Sequence, residues 1–147
     1  MSFQRAIVAR GGVEIECLVR GQGRAVILIA SLGRPADDFD HLAAALADAG
    51  YRAIAPQPRG VGGSTGLVEG LSLDQLAADV AAVIGWTGEA DVTLVGHAFG
   101  NRLARNVARL YPGKVSRVAL LACGGQVPMA PEAMRDLMSC FDLSLPP

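Results

Sequence analysis

The segment Val13-Glu14-Ile15-Glu16-Cys17-Leu18-Val19 alternates apolar with polar positions, the two-residue period of a strand with one face in a core. It follows a mixed segment, Phe3–Arg10, across Gly11-Gly12, and the two predict an antiparallel hairpin. After a turn at Gly21-Gln22-Gly23, Ala25–Ala30 is apolar at every position, which suits a strand buried on both faces of a parallel sheet. Pro35 opens a helical segment with Asp37 and Asp38 in its first turn. Leu42, Ala43, Leu46, Ala47 and Ala49 form its apolar stripe, and Gly50 stops it. Tyr51–Ala55 is the next strand, and Pro56–Gly70 is a loop rich in Pro and Gly. Ser72 with Gln75 three residues on predicts a capping box at the start of a helix that runs to about Ile84. A strand at Asp91–Val95, a helix at Ala98–Leu110 and a strand at Val115–Ala122 follow. Pro131 then opens an amphipathic segment carrying Met134, Leu137 and Met138.

A hairpin followed by strand–helix alternation predicts an α/β fold with a mostly parallel sheet and helices on both faces. A chain of 147 residues, 51% apolar and 18% charged, is enough for one folded domain with a real core. The formal net charge of −1 and the lack of a basic patch speak against nucleic acid as a partner. The longest apolar runs, such as Ala25–Ala30 and Val118–Ala122, fall well short of the roughly 20 residues of a membrane span. No signal-peptide pattern opens the sequence, so a cytoplasmic protein is expected. Cys17, Cys123 and Cys140 have no metal-type spacing and read as reduced thiols, with Cys123 expected to be small and buried. His41 and His97 are the only histidines and stand far apart, so neither a metal nor a cofactor is expected.

The candidate chemistry lies where the strand ending at Val95 meets the helix beginning near Asn101. Gly96-His97-Ala98-Phe99-Gly100 is a G-x-x-x-G turn between a buried strand and a helix. Its glycines admit a bend too sharp for side chains beside the central residue. This turn resembles the nucleophile elbow of the α/β-hydrolases, with Ala98 where serine is usual. Leu28-Ile29-Ala30-Ser31-Leu32-Gly33-Arg34 resembles that family's oxyanion loop, and its Ser-Leu-Gly form is nearest to the enol-lactone-hydrolase branch. Ala55-Pro56-Gln57-Pro58-Arg59-Gly60-Val61-Gly62-Gly63-Ser64 resembles the family's Pro-Asp-x-Arg-Gly-x-Gly-x-Ser loop, with Gln57 for Asp. Tyr111–Val115 with Val118–Ala122 resembles its approach to strand six.

The resemblance implies the sheet order one, two, four, three, five, six, with residues 1–130 as the core and 131–147 as the start of a cap. It implies that the backbone N–H groups of Leu32 and Phe99 form an oxyanion hole, and that Ser31, Arg34 and His97 line the ligand pocket. It also implies that the triad's acid and histidine follow strands seven and eight, which this sequence does not reach by Pro147. Removing the serine of subtilisin costs about 10⁶ in kcat, so hydrolysis by this chain alone is not expected. The function implied is therefore kinship with hydrolases of small esters, lactones or similar carbonyl compounds. The alternative is a non-catalytic small-molecule binding or interaction protein on the same fold. An engineered replacement, a natural alanine in a binding branch, and other chemistry in the same cleft all remain open for Ala98.

Plainer readings stand beside these. Arg34 pairs with Asp37 or Asp38 at the surface, His97 is a packed histidine, and Gly60–Gly66 is a structural turn. Met129, Met134 and Met138 line a pocket or simply pack. A sheet ending at Val118–Leu121 would expose an apolar edge, so a homo-oligomer or a complementing C-terminal half is expected as a partner.

Overall fold

The computed structural model describes residues 3–124 and 128–139. Six strands form one sheet: β1 (Gln4–Arg10), β2 (Val13–Arg20), β3 (Arg24–Ile29), β4 (Tyr51–Pro56), β5 (Val92–His97) and β6 (Val115–Leu121). Their order is β1-β2-β4-β3-β5-β6. The hairpin is present, with β1 antiparallel to β2 and Val8 opposite Ile15. β2 runs antiparallel to β4, while β4, β3, β5 and β6 are mutually parallel. The alternating segment and the buried apolar run both became strands, but β2 is buried on both faces from Ile15 to Val19 rather than on one.

Four α-helices are described: α1 (Asp40–Asp48), α2 (Leu73–Thr87), α3 (Phe99–Leu110) and α4 (Pro131–Ser139). The start at Pro35 is a single 3-10 turn, Ala36–Phe39, before α1 begins, and Ala49 falls outside the helix. The Ser72 box is fully formed: Gln75 N–H donates to Ser72 Oγ and Ser72 N–H donates to Gln75 Oε1. α2 runs one turn past Ile84 to Thr87 and ends on Gly88 in the left-handed conformation at φ 76°.

Helices cover both faces, unequally. α2 and α3 close a core containing Ile27, Ile54, Val83, Ile84, Leu94 and Val107. On the other face α1 packs against β4 and β2, over a smaller core of Val26, Leu28, Phe39, Ala43 and Ala53. β6 forms the sheet's far edge. Val118, Leu120 and Leu121 stay 36–39% exposed, as expected for an unpaired apolar strand. α4 is exposed along its described side chains, including Met134 and Met138. Met129 is exposed as well, so neither packing nor pocket lining describes these methionines. Cys140 and the stretch to Leu145 lie outside the described residues. Among the described residues, no helix is long and apolar enough to cross a membrane.

Candidate active site

Every parallel strand points its C-terminal end at the same rim, where β3, β4 and β5 give way to loops. Ligands of open α/β sheets bind at that end. The turn after β5 leads directly into α3. Ala98 sits at its apex with φ 49° and ψ −108°, just before α3 starts at Phe99. A non-glycine residue held there stores about 1–3 kcal/mol of strain, which the surroundings must impose.

Two sets of contacts impose it. A Cβ on Gly96 would come closer than 3.0 Å to the backbone of Gly100 and Asn101. A Cβ on Gly100 would come closer than 3.0 Å to the carbonyls of Ile29 and Ala30. The helix start is thereby seated directly on the end of β3. From the other side, Leu121 at the end of β6 accepts from Ala98 N–H at 3.0 Å and from Asn101 Nδ2 at 2.9 Å. Replacing Ala98 by Gly should release the strain without loosening these contacts. A stability gain of about 1 kcal/mol is expected in urea denaturation, and an unchanged midpoint would mean that the turn is not strained.

Leu32 follows β3 and is 58% exposed. Its N–H has no hydrogen-bond partner among the described residues. Phe99, as the first residue of α3, has no intrahelical acceptor for its own N–H. Both residues line one cleft of about 490 Å³, together with Ser31 and Gly33 of the loop after β3 and Gln57 and Arg59 of the loop after β4. Ile15, Val61, Val68, Leu71, Leu76, Val80 and Leu103 supply most of the remaining wall, which is largely aliphatic.

Arg34 and His97 do not line this cleft, contrary to the pocket expected from the sequence. Arg34 pairs with Asp38 through two hydrogen bonds, 2.6 Å from Nε and 2.7 Å from Nη2. That guanidinium holds the Asp38 carboxyl below its ordinary range, with His97 a smaller contributor. The surface ion pair is therefore the correct reading of Arg34. His97 is exposed rather than packed. It shares a sheet face with Val95, which is buried, and with Leu121, which is exposed. Cys123 is also exposed, not buried, and accepts from Arg105 Nη2 at 2.7 Å. Cys17, in contrast, is fully buried, and burial pushes its thiol up to about 12, which makes it unreactive.

The loop after β4 is held by side chains that pattern reading passed over. Gln57 is buried, and its Oε1 accepts from Ala36 N–H at 2.8 Å, tying this loop to the one after β3. Glu16 on β2 accepts from Gly63 N–H at 2.9 Å and pairs with Arg5. These two partners hold its carboxyl below the ordinary range against the cost of burial. Ser64 Oγ accepts from Glu16 N–H and donates to Gln57 O, both at 2.9 Å. Gly60–Gly66 is thus a structural turn, as the plainer reading has it. Behind it, Arg59 donates to both carboxylate oxygens of Asp79, at 2.7 and 3.0 Å, with side chains only 6% and 8% exposed. One signal for this pair was in the sequence. Asp79 sits among Leu76, Ala77, Val80 and Val83, and an acid on a buried helical stripe requires a partner.

Among the described residues, no cluster of His, Cys, Asp or Glu could hold a metal ion. Over residues 24–146 the chain matches the family model described as the alpha/beta hydrolase fold. It is 37% identical over 123 residues to a non-heme haloperoxidase of Rhodococcus erythropolis, covering 83% of this chain and 44% of that protein. It is 33% identical over 131 residues to epoxide hydrolase A of Mycobacterium tuberculosis, covering 86% of this chain and 39% of that protein. Among solved structures it superposes on epoxide hydrolase A from Mycobacterium thermoresistibile with a TM-score of 0.77 and 30% identity, over 92% of this chain and 45% of that one. A thioesterase domain from the curacin biosynthetic pathway gives 0.79 and 27%, over 100% of this chain and 56% of that one. The chain spans less than half the length of the two relatives matched by sequence.

Proposed function

This chain belongs to the α/β-hydrolase fold family, and from that premise we propose that its cleft receives the carbonyl or carboxylate of a small ester, lactone or related acyl compound. The oxygen would lie between the N–H groups of Leu32 and Phe99, a paired-donor arrangement suited to negative charge on oxygen. The positive end of α3 reinforces it. One observation carries the reading: the turn holds Ala98 in a strained conformation at the apex although alanine offers no nucleophile. The contacts that impose the strain hold the following N–H in place beside the loop after β3. That placement serves ligand binding with or without a hydroxyl at the apex.

With alanine at position 98, this chain has no attacking oxygen there. Binding without hydrolysis is therefore the activity assigned to residues 1–147. The relatives named haloperoxidase and epoxide hydrolase are longer proteins, of which this chain spans less than half. The bare apolar edge of β6 supports a further part of the proposal. The sheet continues there by pairing with more polypeptide, either a complementing half or a second copy, inside a reducing, cytoplasmic compartment.

The carbonyl site is tested by titrating isotope-labelled chain with butanoate and following backbone amide resonances. The Leu32 and Phe99 amides are expected to move together and to saturate at one dissociation constant. Shifts confined to other amides, with these two unmoved, would remove the reading.

A further inference from the structure

Resting on that carbonyl site, we propose that the end of β6 is a clamp on the Phe99 donor, so that ligand binding in the cleft and the order of β6 are linked. Asn101 is the positioning residue of the clamp and does not itself line the cleft. Three observations carry this. The first is a shared acceptor. Leu121 O accepts from Ala98 N–H at 3.0 Å and from Asn101 Nδ2 at 2.9 Å, and these two residues flank Phe99 and Gly100. A carbonyl only accepts, so it is the NH₂ end of the Asn101 amide that faces it. The segment carrying the Phe99 N–H is thereby pinned at both ends to one atom. Ala98 N–H alone would satisfy that carbonyl, so burial does not demand the second bond. Asn101 nevertheless buries its amide to 3% exposure, where an apolar side chain would be cheaper to bury. What the second bond adds is a fixed position for the start of α3 against β6.

The second is the turn that presents this acceptor. Ala122 follows Leu121 with φ 50°, the left-handed region that a residue with a Cβ seldom occupies. Beyond it, Cys123 Sγ accepts from Arg105 Nη2 at 2.7 Å. The end of β6 thus holds α3 at Asn101 and again one turn later at Arg105. The third is the exposure of β6 itself. Among the described residues it pairs with β5 alone, and Val118, Leu120 and Leu121 are 36–39% exposed. A strand with so little buried surface opens at lower free energy than the sheet interior. Opening withdraws Leu121 O from both donors and frees the start of α3. Among the described residues, none of β6 lines the cleft, so a ligand there reaches the strand through the helix start rather than by contact. Linkage is reciprocal, and a ligand that needs the clamped form must protect β6 in return.

The experiment combines butanoate titration with amide hydrogen exchange on the full 147-residue chain, as the parent and as Asn101→Leu, Asn101→Ala and Asn106→Leu. Asn106 is the matched control. It is also buried in α3, at 8% exposure, but its Nδ2 donates to Asp74 of α2 at 2.8 Å. In the parent, saturating butanoate is expected to slow exchange of the β6 amides about fivefold or more. Either substitution at Asn101 should weaken butanoate binding about fivefold or more and cut that protection below about twofold. Asn106→Leu should lower the urea midpoint while leaving affinity and protection as in the parent. A merely structural asparagine would give the same result at both positions, and that outcome would overturn the clamp. Parent-like affinity in both Asn101 variants would overturn it as well. So would β6 exchange that ignores butanoate while the Leu32 and Phe99 amides move, a result that leaves the carbonyl site standing. Leu32 and Phe99 amides that do not move in the parent would overturn the carbonyl site and this proposal with it.

Discussion

Gly100→Ala is expected to destabilise the chain by about 3 kcal/mol or more and to abolish ligand binding at the rim. The sign is opposite to the one helix propensity gives, since alanine inside a helix is normally better than glycine by about 0.8–1 kcal/mol. Sterics decide the outcome. The new Cβ would approach the carbonyls of Ile29 and Ala30, which are backbone atoms at the last residue of a central strand and the residue after it. A flexible side chain could rotate aside, but β3 is paired with β4 over Arg24–Ile27 and with β5 over Val26–Ile29, and its backbone cannot. The helix start must move instead, carrying Phe99 away from Leu32. Gly85→Ala is the matched control. Gly85 is exposed, lies within α2, and has open space where its Cβ would go. It is expected to stabilise by about 0.5–1 kcal/mol. Urea denaturation of both variants reads the two signs directly. If Gly100→Ala fell within about 0.5 kcal/mol of the parent, β3 would not hold the start of α3 as described here.

That contrast also marks what could be read from the sequence. The alternation in Val13–Val19, the apolar run Ala25–Ala30 and the Ser72–Gln75 box each encode a local preference, and each became its strand or helix start, although β2 is buried on both faces where alternation predicts one. The glycines at 96 and 100 were legible for the same reason, because a tight turn is a local requirement. Side-chain destinations were not legible, because they depend on which face of the sheet is covered and by what. His97 is exposed because it stands at the end of β5, on the face whose core is covered by α1 and the Ala36–Phe39 turn, and these pack chiefly against β2, β3 and β4. Cys123 follows a strand with no neighbour on its outer side among the described residues, so strand-end burial does not extend to it. Arg34 could reach either the cleft or Asp38, and the four-residue spacing across the 3-10 turn gave it Asp38. The aliphatic cleft wall joins residues of β2, β3, α2, α3 and two loops, and no window of the sequence contains more than a fraction of them.

Arg59 and Asp79 are twenty residues apart, and their pairing yields the second large effect. Asp79→Ala should cost about 3–5 kcal/mol, because it leaves the Arg59 guanidinium buried beside an aliphatic cleft without its counter-charge. Against a typical total of about 5–15 kcal/mol, that is a large share of the stability. Arg10 loses its partner at the same time, but its side chain is 42% exposed and water can replace the contact. The loss should therefore fall mainly on Arg59, and through its bond to Leu67 O on the loop that walls the cleft. Removing both charges separates the cost of stranding a charge from the worth of the pair. Arg59→Met with Asp79→Leu leaves no stranded charge and keeps apolar volume, so it should recover most of the stability lost in Asp79→Ala. Thermal and urea unfolding of the single and double variants supply the comparison. A single variant as stable as the parent would mean that water reaches Arg59 freely. A double variant as unstable as the single would mean that the pair's hydrogen bonds, rather than charge compensation, hold the loop over the cleft.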